Sequence, residues 1–169
     1  MIRLISRVLL AYISLICSAH AAQQCYSSQE MDAEQLLRLH SELMVITVTC
    51  HEGSQGEDLV PAYTGFTQLN LKALHAAEQT MIAYYHDVYG GDGTARLDEL
   101  RTRLGNEYGR KIADISAPVF CAMYRDKVLK MCGADRAALR EEIQRIASDG
   151  GSESKMCTAT PSYIAKSAK

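Results

Sequence analysis

From Leu36 onward, apolar side chains return every three or four residues through most of the chain. Leu36, Leu39, Leu43, Ile46 and Cys50 form one series, widened by Leu37, Met44 and Val48. Phe66, Leu69, Ala73, Ala77, Met81, Tyr84 and Val88 form a second. Leu97, Leu100, Leu104, Tyr108, Ile112, Ile115 and Val119 form a third. This is the period of a helix that buries one face. Strand-like alternation and an Asn-Gly hairpin signal are both missing. The sequence therefore predicts an all-α fold.

Punctuation sets the expected boundaries. Asp32 followed by Gln35 is the weaker form of a capping box and predicts that the first helix begins near Asp32. Val45 to Thr49 is β-branched and uncharged apart from its neighbours, which favours strand locally. The helical face runs through it, so it is kept as helix. Gly53, Gly56 and Pro61 make 51–62 a loop, and a second helix spans Tyr63 to Tyr89. Gly90-Gly91-Asp92-Gly93 stops it. Thr94 is the expected cap of the third helix, with Asp98 and Glu99 near its positive end. Pro118 forces a bend, after which the helix resumes through Phe120, Met123, Val128 and Met131, or two helices meet at 116–118. Asp135 caps a last helix ending at Ser148, with Leu139, Ile143 and Ile146 inward and Glu141 paired to Arg145. The expected architecture is a small antiparallel bundle of three long helices plus a shorter C-terminal helix, stapled by disulfides. It divides into a signal peptide (1–21), an N-terminal segment (22–31), a helical domain (32–148) and a flexible C-terminal tail (149–169).

The N-terminus gives the expected address. Arg3 and Arg7 precede the apolar run Val8 to Cys17, and Ala19-His20-Ala21 follows. That is the pattern of a secretory signal peptide cleaved after Ala21. The run is short for a membrane span. An uncleaved anchor is the alternative. Lipidation of Cys17 is disfavoured by Ile16 and Ser14. No later stretch has the length and apolarity of a span, so no stable membrane span is expected after cleavage. The formal charge is −2, without a long basic run, which argues against a nucleic-acid binder. Arg101, Arg103, Arg110 and Lys111 are interleaved with acids and read as a solvated face.

Of six cysteines, Cys17 leaves with the leader. Cys25, Cys50, Cys121, Cys132 and Cys157 remain as disulfide candidates. Export makes oxidation the default. An odd number leaves one thiol over, free or joined to another chain. Absence of CxxC and CxxCH spacing gives no support to a thioredoxin-like site or covalent haem.

The chemistry-bearing residues do not assemble into a known constellation. His75 and Glu78 share a helix face, but one His-x-x-Glu is not a di-iron set. Cys50 and His51 are adjacent, and adjacent helical residues do not face one another. Gly90, Gly91 and Gly93 lack the preceding strand and following Lys of a phosphate loop. No catalytic, metal or cofactor-binding residues are assigned, and no cofactor is expected. Tyr85 and Tyr89, four apart, are the best interface candidates.

Ser41-Glu42-Leu43-Met44-Val45 followed by Cys50, Leu104-Gly105-Asn106-Glu107, and Phe120-Cys121 together resemble a group of small exported proteins from alphaproteobacteria. The likeness covers Leu36 to Met123. It implies a helical fold, no fixed activity, a periplasmic location (secretion being the alternative) and a Cys50–Cys121 bridge. Cys25, Cys132 and Cys157 fall outside its pattern. Cys132–Cys157 closes the shorter loop, and Cys25–Cys132 ties down the N-terminal segment. The function expected is non-enzymatic: binding or supporting another envelope protein, or a second copy of itself. The alternatives are a small hydrolase or redox accessory using His51, His75 or an unpaired thiol, and a ligand or metal carrier.

Overall fold

The computed structural model describes residues 25–50, 58–149 and 151–157. The expected signal peptide, residues 22–24, His51 and Tyr163 to Lys169 lie outside them. The described residues form five helices: α1 (Ser28–Cys50), α2 (Val60–Tyr89), α3 (Gly93–Ile115), α4 (Ala117–Cys132) and α5 (Arg136–Ser148). Three long helices and one short helix is thus corrected to five.

The extra helix comes from a break at Ser116. Pro118 lacks the N–H that would continue the ladder and disfavours helical geometry before it. The backbone responds at Ser116, which takes φ 70° and ψ 152°. Its carbonyl then accepts from Phe120 at 2.9 Å and opens α4. Val119, predicted to continue the α3 stripe, is consequently exposed.

Caps explain the other boundaries. Helix α1 starts before Asp32 because Ser27 and Glu30 form a reciprocal capping box. The Ser27 amide donates to Glu30 at 2.6 Å and the Glu30 amide donates to Ser27 Oγ at 3.3 Å. Helix α2 begins at Val60, with Pro61 in its first turn, where a missing N–H costs nothing. Asp92, not Thr94, caps α3 by accepting from the amides of Thr94 and Ala95. Gly93 has a steric role. A Cβ there would stand 2.2 Å from the Ile82 carbonyl oxygen, so the start of α3 lies against the α2 backbone. Asp135 caps α5 as its spacing predicts, accepting from Ala137 and Ala138. Arg145, however, bonds Glu142 and Asp149 rather than Glu141.

Helix α1 is central and touches all four others. Every residue from Ala33 to Leu39 is buried, including Glu34, Gln35 and Arg38. One half of the core gathers Leu36, Leu37, Leu74, Met81, Leu97, Leu100 and Leu104. The other gathers Leu39, Leu43, Ile46, Phe66, Phe120, Val128 and Met131. The expected α2 stripe holds at Phe66, Ala77, Met81 and Tyr84, but Leu74 is buried in place of Leu69 and Ala73, which face outward. Lys127 ties three helices by bonding Glu42 of α1 at 2.5 Å and Glu142 of α5 at 2.7 Å.

Two disulfides staple this body. Cys50 joins Cys121 with Cα atoms 5.5 Å apart, linking the end of α1 to α4. Cys25 joins Cys157 with Cα atoms 5.0 Å apart. That pairing replaces both Cys132–Cys157 and Cys25–Cys132, and Cys132 is the free thiol among the described cysteines. The part of the expected flexible tail at 151–157 is therefore a strap fixed to the body. No helix among the described residues is long and apolar enough to cross a membrane.

Candidate functional site

The strap reaches α1 through backbone and side-chain bonds together. Tyr26 donates its amide to the Lys155 carbonyl at 2.9 Å, and the Cys157 amide donates to the Tyr26 carbonyl at 2.8 Å. These make one isolated parallel bridge between Tyr26 and Met156. Upstream, the Glu34 carboxylate accepts from the Glu153 amide at 3.0 Å and from the Ser152 hydroxyl at 3.1 Å. Glu153 in turn holds Arg103 of α3 through two bonds of 2.6 and 2.8 Å. A fork-to-fork pair of this kind fixes orientation as well as charge.

Beneath the strap lies a buried ionic group. Glu34 is wholly buried, and burial pushes its carboxyl above the usual range despite bonds from the Glu153 amide and Tyr26 and the charge of Arg38. Arg38 bridges Glu107 at 2.7 Å and Glu34 at 3.4 Å. Burial works against the Arg38 charge, but Glu107 and Glu34 outweigh it and hold the guanidinium firmly protonated. Glu107 is held below the usual carboxylate range: burial raises it, but the bond and charge of Arg38 together with Lys111 more than reverse this. The Arg38 Nε is buried without a hydrogen-bond partner among the described residues. Gly151 lies over it, since a Cβ there would be 3.4 Å from Nε and 3.3 Å from Cδ.

Between α3 and the strap the surface opens into a cleft of about 550 Å³. Arg103, Asn106, Glu107 and Arg110 line one wall at helical spacing, and Gly151, Ser152 and Glu153 line the other. Arg103 is matched by Glu153, Arg38 by Glu107, and Asp149 by Arg145. Arg110 makes no ion pair or side-chain hydrogen bond among the described residues. The cleft thus carries one uncompensated positive charge amid paired ones. That arrangement suits a ligand group that is anionic and able to accept hydrogen bonds.

The residues singled out in the sequence fall elsewhere. Tyr85, expected at an interface, is buried, because Tyr26 and the strap widen the inward face of α2. Its hydroxyl donates to Glu153 at 3.5 Å, and its ring meets Tyr84 edge-on with centroids 5.5 Å apart. Tyr89 is half exposed under the Arg96 guanidinium, which lies 5.5 Å from its ring centroid. Glu78 is bonded by Arg101 rather than shared with His75. His40, which carried no assignment, is hydrogen-bonded to the Tyr63 hydroxyl at 2.8 Å, and burial lowers its imidazole from the usual value. Among the described residues no three His, Cys, Asp or Glu side chains are grouped to hold a metal ion. The Glu34/Arg38 spacing of four was the one legible sign of the buried ionic group. Its other partners are Glu107, 69 positions from Arg38, and Ser152 and Glu153, 118 and 119 positions from Glu34.

The chain matches no family model, no curated protein and no solved structure.

Proposed function

We propose that this protein is an exported, non-enzymatic binding module of the cell envelope, acting in the periplasm. The α3–strap cleft is where it receives a segment of a partner protein. The observation that carries this reading is the cleft itself: an open, charged groove with Arg110 uncompensated at its wall. An acidic side chain or a chain-terminal carboxylate of the partner would meet Arg110, beside the Arg103 guanidinium. Rim charges of this kind select a partner and steer its approach more than they add raw affinity. The leader-like N-terminus supports export, and the two disulfides accord with an oxidising compartment.

The test is site-specific photo-crosslinking in living cells. A photoreactive residue replaces Asn106, which lines the cleft, and separately Ala76, on the outer face of α2. A discrete adduct from position 106 that is lost on Arg110→Glu, with none from position 76, is the expected result. Equal adducts from both positions, or adducts indifferent to Arg110→Glu, would remove the cleft from the account.

A further inference from the structure

The two disulfides sit in different mechanical settings. Cys50 and Cys121 belong to helices and pack against the core around Phe120. Cys25 and Cys157 both lie outside helices, and all four bridged cysteines are partly exposed, so it is the setting and not exposure that differs. The first bond joins two elements that the core already holds together. The second joins the short approach to α1 to a strap with no regular structure beyond a single bridge.

The closed strap also leaves one buried donor unsatisfied among the described residues. It covers the wholly buried Glu34, and Gly151 shuts the unpartnered Arg38 Nε away from water. A buried donor without an acceptor would regain a hydrogen bond if water reached it. The bonds of Glu34 to Glu153 and Ser152, the Arg103–Glu153 fork and the Tyr26 backbone bridge oppose opening, but water can replace each of them. The covalent tie keeps these weak contacts at high effective concentration.

We propose that Cys25–Cys157 is a latch that opens by exchange with an external dithiol. A thiolate of the dithiol attacks one sulfur of the pair and displaces the other as thiolate. The second dithiol sulfur then resolves the mixed disulfide. Two electrons and two protons pass to Cys25 and Cys157, and the dithiol leaves as its disulfide. The strap at 151–157 lifts from α1, water reaches Glu34 and Arg38, and Cys50–Cys121 keeps the bundle closed. Because Gly151, Ser152 and Glu153 form one wall of the cleft, opening removes that wall. The latch stands whether or not a partner docks there.

The experiment uses the full chain as it accumulates in cells, treated with graded dithiothreitol, alkylated and mapped by peptide mass spectrometry. Amide hydrogen exchange is followed on the same samples. Cys25 and Cys157 should become alkylated together at a dithiol concentration at least about tenfold below that needed for Cys50 and Cys121. Exchange should rise at least about tenfold in 152–157 and stay unchanged in α3 and α4. The double variant Cys25→Ser, Cys157→Ser should reproduce that pattern without reductant. Earlier or simultaneous reduction of Cys50–Cys121, an unchanged strap after reduction, or loss of the bundle in the double variant would each overturn the latch.

Discussion

Lys127 stands between two carboxylates that would otherwise repel. It bonds Glu42 and Glu142, all three side chains being largely buried. Lys127→Met removes the positive charge and leaves two facing carboxylates, so a loss of about 3 to 5 kcal/mol is expected in urea denaturation. Glu142 makes a related pH prediction. Hydrogen bonding from Arg145, aided by Lys127 and opposed by burial, holds its carboxyl down at about 2, against 4.5 ordinarily. The folded state therefore binds fewer protons than the unfolded state between those values. Its contribution is complete above pH 4.5 and is lost as pH falls toward 2. Glu34 has the opposite sign, because burial raises its pKa and the folded state holds its proton longer. Comparing wild type with Glu142→Gln isolates the first effect: the variant should lose less stability between pH 5 and pH 3.

At the scale of elements, two turns decide the architecture. Gly93→Ala would place a methyl 2.2 Å from the Ile82 carbonyl oxygen and push α3 off α2. A loss of about 2 kcal/mol or more is expected, read as a lower denaturation midpoint. Ser116→Gly should do the reverse. Ser116 holds φ 70° with ψ 152°, a region that side chains disfavour, so glycine should gain about 1 kcal/mol by the same measurement. Asp135 and the glycines after Tyr89 were readable because their effects are local. Ser116 was only half readable: Pro118 announced a disruption but not whether the helix would bend or end. Within α2 the stripe is legible except at Leu69, which is as apolar as Leu74, and only the neighbouring helices decide which one is covered. Tyr85 was misplaced for the same reason, since the strap that buries it is remote in sequence.

The molecule as a whole is organised around a helix with no solvated face from Ala33 to Leu39. Four helices and the strap surround α1, so Glu34, Gln35 and Arg38 are interior groups, although their sequence reads as an ordinary polar face. Only Arg38 carries that inversion into the cleft, whose unpaired charge is Arg110 of α3. Arg38 is fixed from below by Glu34 and from the side by Glu107, and the strap closes over it. The helical class is legible from periodicity, and the cleft is not, because its walls are joined by Arg103 and Glu153, 50 positions apart. The account rests on an exported chain locked by two internal bridges. The most direct measurement is the intact mass of the protein from the cell envelope, alkylated without reduction. The account predicts a monomer beginning at Ala22 with four cysteines oxidised in two bridges and Cys132 alkylated. A mass that retains residues 1–21, a dimer linked through Cys132, or alkylation at all five remaining cysteines would contradict it.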